Sequence, residues 1–324
     1  MTLEATQGTP TPITWPPHDP QTWRHVPSSA APLDPDRVQS MLAAEWDRFQ
    51  ASTPGSHAHH TRASIPLPLG CTSSFQYWDP YPIAVVSAKG SHVTDADGRD
   101  LLDLSMGFGA MLVGHLNPAI VQAVQHALEV GTLFVTPSPT ATTVAERFQR
   151  RFGLDQVRFC NSGTEATMYA VRTARAFTGR KAIVKIEGGY HGGYDALSVS
   201  VKPLIDEAGP EDAPVAVVPF DVEAGTVYPV PYNNIERLER VLAEHGKEIA
   251  AVFLEPVLEN VGIVVPDEGY LAAVRAACDK YGVLLIFDEV KTGLTAGYAG
   301  ASQRLGVTPD LVTLAKSKIG RAHV

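Results

Sequence analysis

Cysteine is scarce. The 324-residue chain has three, Cys71, Cys160 and Cys278, widely separated and forming no CxxC pair. One disulfide is arithmetically possible, whereas a disulfide framework or a four-cysteine zinc site is excluded. No apolar run approaches the roughly 20 residues that cross a bilayer. A basic run is missing too: 26 Lys+Arg against 35 Asp+Glu leave a formal charge of -9 spread along the chain, which counts against a nucleic-acid surface. The first 20 residues, rich in Thr and Pro and carrying Glu4, lack the basic-then-apolar order of a secretory signal. No lysine follows a glycine run as in a Walker loop, and no G-x-G-x-x-G opens a helix. The expectation is a soluble cytoplasmic protein, with no nucleic acid and no membrane among its partners.

What is present describes a packed globule: 44% hydrophobic residues, 8% aromatic, and a mean hydropathy near zero. Residues 1–36 are Pro/Thr/Ser-rich and expected to be flexible. A helix is expected from Asp36 to Gln50, with Val38, Met41, Leu42 and Trp46 on one side. Ser56-His57-Ala58-His59-His60 invites a metal reading, but its Gly/Pro/Ser context and the lack of a helically spaced carboxylate favour a solvated loop. The Pro66–Pro82 segment reads as irregular, its aromatics Phe75, Tyr77, Trp78 and Tyr81 too apolar to stand in water. A small antiparallel ribbon follows over Val85–Leu104, with a strand Ile83–Val86 and turns at Lys89-Gly90 and at Asp95–Gly98. Helical periodicity marks 118–130 and 140–152.

From about residue 156, short apolar runs alternate with helices, the signature of a mainly parallel sheet covered on both faces. The runs are Val157–Phe159, Ala182–Ile186, Val215–Val218, Ile249–Leu254, Val283–Phe287 and Leu311–Leu314, with helices near 165–178, 234–245 and 268–281. Open α/β sheets bind ligands beyond the carboxyl ends of their strands, so the residues there carry the functional information. Cys160–Glu165 is a polar turn entering a helix; it suits a phosphate, and equally reads as an ordinary Ser/Thr cap. Asp288 and Glu289 follow one strand, Glu255 another and Lys316 a third. These charges fit a reactive site or a structural ion-pair network. Gly188–Gly193 is a glycine-flanked Tyr190-His191 pair that could approach and stack on a flat group.

Together these pieces closely resemble the class-III pyridoxal-phosphate-dependent aminotransferases of fold type I, near the glutamate-1-semialdehyde 2,1-aminomutase branch and its transaminase relatives. The resemblance runs from about Trp46 to Ser317 and rests on Asp95–Gly98, Gly114-His115, Arg158–Ala166, Thr178-Gly179-Arg180, Gly189–Gly192, Phe287–Val290 and Leu314-Ala315-Lys316. It implies an α/β fold with a mainly parallel central sheet, flanking helices and the N-terminal part of a small domain. The expected division is a segment over 37–110 holding a helix, a substrate-side loop and the ribbon, then an incomplete cofactor-binding large domain over 111–317. The implied cofactor is pyridoxal 5'-phosphate, carried covalently by Lys316, which would also shuttle protons. Asp288 would bond the pyridine nitrogen, and Ser162, Gly163 and Thr164 would hold the phosphate. Tyr190 and Val290 would lie on opposite ring faces, with His191 nearby and Glu255 in the surrounding polar network. No metal is implied.

The implied reaction passes an amino group between an amine or amino acid and a keto or aldehyde acceptor, in a homodimer when full length. The alternatives are the aminomutase itself and a non-catalytic protein on the same scaffold; Lys316 argues against the last. The aminomutase branch carries an arginine in its N-terminal substrate loop, where Gly70–Gln76 here has no basic residue, and Lys291–Thr295 also departs from the aminomutase pattern. Beyond Ser317 the family continues with an isoleucine and a glycine run. Residues 318–324, Lys-Ile-Gly-Arg-Ala-His-Val, can instead be encoded by a string resembling a sequencing adapter. They are expected to be foreign, the chain a truncated fragment, and the fragment by itself inactive.

Overall fold

A computed structural model of the protein describes residues 34–210 and 212–317. Most of the flexible segment expected over 1–36, and the foreign tail expected over 318–324, lie outside the described residues. The chain divides into two compact units, Met1–Leu104 and Ser105–Val324.

In the first unit, α1 (Pro35–Ser52) starts with proline in its first turn and the Asp34 carboxylate accepting from the Asp36 N–H at 3.1 Å. Its apolar side, Val38, Met41, Leu42 and Trp46, is exposed. The Ser56–His60 segment is helical, within α2 (Pro54–Ala63), and not the loop expected from its composition. The reason lies far along the chain. The Asp97 carboxylate accepts from the N–H groups of Gly55 (2.5 Å) and Ser56 (3.1 Å) and from the Ser56 hydroxyl (3.0 Å), capping a helix whose own Thr53 supplies no side-chain cap. No cluster of three or more His, Cys, Asp or Glu suited to a metal occurs among the described residues.

Residues 66–82 are irregular apart from two single 3-10 turns. Of their aromatics, Tyr81 is buried, bonded to the Thr53 hydroxyl at 2.9 Å and packed against Phe49 and His57. Phe75 and Trp78 stay exposed, contrary to expectation; the place among those partners belongs to Tyr81. The ribbon forms from Val85, as β1 (Val85–Lys89), β2 (His92–Asp95) and β3 (Asp100–Leu102), antiparallel in that order, with the first strand over Val85–Lys89 and not Ile83–Val86. Asp95 closes its second turn by accepting from the Asp97 and Arg99 N–H groups.

The second unit opens with a single turn, α3 (Met106–Gly109), then α4 (Pro118–Val130) and α5 (Pro139–Phe152), capped by Asn117 and Ser138. Neither long helix has a buried residue. Next come α6 (Gly163–Thr178), β4 (Ala182–Ile186), β5 (Val227–Val230), α7 (Ile235–His245), β6 (Ile249–Leu254) and α8 (Tyr270–Tyr281). The last elements are β7 (Leu284–Asp288), the short α9 (Thr292–Thr295) and α10 (Gly300–Leu305), and β8 (Leu311–Thr313). The five strands β4–β8 form a parallel sheet ordered β5-β4-β6-β7-β8.

Alternate strand residues point to opposite faces. Val184, Ile186, Val252, Leu254, Leu285 and Phe287 pack with α7 and α8 on one side, while Ile183, Ala251, Phe253 and Ile286 pack with Ala170, Val171 and Ala174 of α6 on the other. This is the α/β class expected. Two strand readings need correction. Val215–Val218 is irregular, with Val215 and Val218 exposed; the strand is Val227–Val230, whose Pro229 is tolerated because β5 pairs only with β4, at the sheet edge. Val157–Phe159 carries only a single bridge residue, Phe159: three residues with Arg158 in the middle gain too few ladder bonds to join the sheet.

The chain leaves β4 toward β5 on one side, then returns to β6 on the other and continues outward through β7 and β8. The order thus reverses between β4 and β6, which places the ligand crevice of such a sheet outside their carboxyl ends. No helix of the described residues is long and apolar enough to cross a membrane.

Candidate active site

Asp288 ends β7 and is 4% exposed. Its Oδ1 accepts from the Val290 N–H at 3.0 Å and from the Thr313 hydroxyl at 3.1 Å, and its Oδ2 lies 2.7 Å from His191 Nδ1. Thr313 sits beside Asp288 because the two are register partners across β7 and β8. A carboxylate offers about four acceptor positions, so one remains for a further donor. His191 is buried, its ring edge-on to Phe253 with centroids 4.6 Å apart. Burial pushes the imidazole down from its ordinary value, against the pull of Asp288. A neutral ring in this geometry donates Nδ1–H to Asp288, and its buried Nε2 has no partner among the described residues.

The turn after β4 that carries Tyr190 and His191 is tied to its surroundings at several points. The Thr167 hydroxyl of α6 donates to the His191 carbonyl at 2.7 Å, and the Tyr190 N–H donates to Glu255 Oε1 at 3.3 Å. Gly192, at φ +90°, passes so close to α6 that a Cβ would run into the Thr164 hydroxyl and come within 2.9 Å of Thr164 Cα. The Gly193 N–H then donates to Thr164 Oγ1 at 3.3 Å.

Ser162 is the N-cap of α6, its hydroxyl accepting from the Glu165 N–H at 3.1 Å, while Glu165 reaches back to the Asn161 N–H at 2.6 Å. The cap reading is therefore right. It is also compatible with an anion, since capping uses the Glu165 amide and leaves Gly163 and Thr164 at the positive end of the helix. Gly163 stands against Val290 and Ala315, joining this helix end to the ends of β7 and β8.

Glu255, just beyond β6, is 4% exposed, and burial next to Asp288 pushes its carboxyl up to about 7. Lys316 follows β8, half-buried and in the left-handed region at φ +48°, a conformation that non-glycine residues hold at a cost. Burial lowers its amine, opposed by the charges of Asp288, Glu255 and Glu259 and reinforced by Lys291. Of the nine residues singled out from sequence, eight thus fall into three connected groups. His191, Asp288 and Val290 are bonded directly, Tyr190 is bonded to Glu255, and Ser162, Gly163 and Thr164 form the end of α6; Lys316 is coupled to Asp288 and Glu255 through charge.

The sequence profile of the family Aminotransferase class-III matches residues 75–320. The chain belongs to the class-III aminotransferases. It is 44% identical over 251 residues to the glutamate-1-semialdehyde 2,1-aminomutase of Methanocella arvoryzae, covering 77% of this chain and 58% of that relative. An omega-transaminase from Sphaerobacter thermophilus superposes with a TM-score of 0.78 at 36% identity, covering 83% of this chain and 63% of that one. A glutamate-1-semialdehyde aminomutase from Pseudomonas aeruginosa gives 0.80 at 30%, covering 90% and 64%. The chain spans less than two thirds of each.

Within this class-III aminotransferase, some residues of the resemblance serve the scaffold. Glu289, next to Asp288, faces away from it and accepts from the N–H groups of Ala301 (2.6 Å) and Ser302 (2.9 Å) at the start of α10. Arg180 directs Nη1 to the carbonyls of Gly246, Ile249 and Gly282, at 3.0, 3.2 and 2.7 Å, gathering the ends of α7 and α8. Thr313 and Thr167 are site residues that the sequence reading missed. Their signal is a hydroxyl inside an otherwise apolar strand or helix face.

Proposed function

We propose that this chain carries the pyridoxal 5'-phosphate site of an enzyme that moves an amino group between an amine or amino acid and a keto or aldehyde acceptor. The observation that carries the reading is Asp288: a buried carboxylate with three donors in place and one acceptor position open, at the carboxyl edge of the sheet and under the same field as Lys316. The residues fit the group. An α6 terminus accommodates a phosphate, a close-packed turn presents Tyr190, and a carboxylate and an amine stand at neighbouring strand ends.

Bound there, pyridoxal phosphate supplies an electron sink for the charge left on the carbon that bears the amine. Asp288 holds a proton at the pyridine nitrogen, and His191 orients Asp288 through Nδ1. Ser162, Gly163 and Thr164 bind the phosphate, Tyr190 and Val290 confine the ring from its two faces, and Glu255 positions Tyr190 through its N–H. Lys316, its amine made less basic by burial, attaches the cofactor and moves the proton at the reacting carbon.

The site is proposed to work in a cytoplasmic homodimer. Exposed apolar residues over 112–135, among them Val124, Leu128, Leu133 and Phe134, support an interface there. A second reading, glutamate-1-semialdehyde 2,1-aminomutase activity, is supported by the relative at 44% identity. Against it stands the lack of a basic residue in Gly70–Gln76, so we favour the transaminase. The test is a panel of amine donors and carbonyl acceptors given to the protein with pyridoxal phosphate, with products read by mass spectrometry. Amino transfer to a separate acceptor is expected; 5-aminolevulinate as the main product from glutamate-1-semialdehyde would overturn the preference.

A further inference from the structure

Lys185 lies inside the apolar strand β4, 1% exposed and among the largest fully buried side chains of the protein. Burying an amine this completely is costly, and the roles assigned above do not use it. Its Nζ donates to the Ile186 carbonyl at 3.0 Å, and the same carbonyl accepts the Gly189 N–H at 3.2 Å. That second bond closes the turn leading to Tyr190 and His191. A Cβ on Gly189 would lie 3.2 Å from this carbonyl and 2.9 Å from His191 Nε2, so the carbonyl and the ring nitrogen flank one backbone position.

The sheet register places Lys185 relative to the acids. Lys185 pairs with Phe253, and Phe253 with Ile286. Two residues further along these strands, about 7 Å on, stand Glu187, Glu255 and Asp288. A buried amine thus lies one row below three carboxyl-bearing positions at the mouth of the sheet.

We infer that Lys185 is a positioning residue of the site: its ammonium, fastened to the Ile186 carbonyl, holds the turn that sets His191 against Asp288. The inference rests on the cofactor-site reading above. The charges support it. Glu255 and Glu187 favour the ammonium while burial brings it down to about 7, and its positive charge in turn disfavours the imidazolium of His191. The groups facing His191 are Asp288 from β7, Lys185 from β4, the Thr167 hydroxyl from α6 and the Phe253 ring from β6.

The test is an NMR pH titration of His191 in the cofactor-free chain, wild type against Lys185→Met, with pyridoxal phosphate affinity measured separately. Removing the cation should move the His191 inflection upward and weaken pyridoxal phosphate roughly tenfold, the worth of one hydrogen bond from a charged group. If Lys185→Met does not fold, Lys185→Gln takes its place, a neutral side chain that can still donate to the Ile186 carbonyl: losing the charge alone should again move the His191 inflection upward. An unmoved His191 inflection in a folded variant overturns the role of Lys185. Failure of the wild type to bind pyridoxal phosphate overturns the cofactor reading instead, leaving the coupling measured in the free protein as it was.

Discussion

Gly192 and Gly193 stand side by side in one turn, yet the structure assigns them opposite tolerance to a side chain. At Gly192 a Cβ would collide with the Thr164 hydroxyl, approach Thr164 Cα to 2.9 Å, and force a φ of +90° on an L-residue. At Gly193 a Cβ would meet nothing within 4 Å. Left-handed strain costs about 1–2 kcal/mol, and overpacking against backbone about 1–3 kcal/mol, so Gly192→Ala should cost about 2–5 kcal/mol in all. The strain falls where the turn meets the first turn of α6, with His191 one residue before and Ser162–Thr164, the proposed phosphate donors, on the other side. If the site absorbs it, pyridoxal phosphate affinity drops by roughly 30-fold or more. The assay is a cofactor titration followed by absorbance, with urea unfolding of the same samples to separate lost affinity from lost stability. Gly193→Ala is the control and should bind as the wild type does. Equal behaviour of the two variants, in both stability and affinity, would refute the close approach of this turn to α6.

Two further outcomes follow from the charges. Arg180→Met should lower stability by about 2–4 kcal/mol, since one guanidinium nitrogen serves the carbonyls of two helix ends, Gly246 and Gly282, and that of Ile249 at the start of β6; urea midpoints check it, and a change below half a kilocalorie (roughly, as for ordinary surface sites) counts against the assignment. Glu255, raised in the fold from 4.5 to about 7, binds an extra proton in the native state between those values. Its contribution is therefore full below about pH 4.5 and is lost as the pH rises through 7, at most about 3 kcal/mol. Glu255→Gln should flatten the stability profile across that window, and an unchanged slope would contradict the shift.

The sheet was legible where its strands are unbroken apolar runs: β4, β6, β7 and β8 all appear near their expected positions. Elsewhere, long-range contacts overrode local pattern. Pro229 hides β5 because only its pairing at the sheet edge makes proline acceptable, and Val215–Val218 imitates a strand while its backbone bonds go to Ala208 and Ser200, outside any strand. The helix over Ser56–His60 depends on Asp97, about 40 residues on, and no local rule could supply that cap. In the site, the acids, the amine and the glycine turn could be read from their places after strands. Thr313 could not, because its bond to Asp288 is a consequence of register between β7 and β8. The adjacent carboxylates Asp288 and Glu289 look alike in sequence, yet strand alternation sends one to the site and the other to α10.

Lys316, at the end of β8, is the proposed point of attachment for pyridoxal phosphate. Its most direct test is borohydride reduction of the protein with pyridoxal phosphate, followed by proteolysis and peptide mass mapping. The cofactor mass is expected on the peptide containing Lys316, and should be lost in Lys316→Ala. Modification centred on another lysine, such as Lys291 or Lys185, or none at all in protein that is folded, would contradict it.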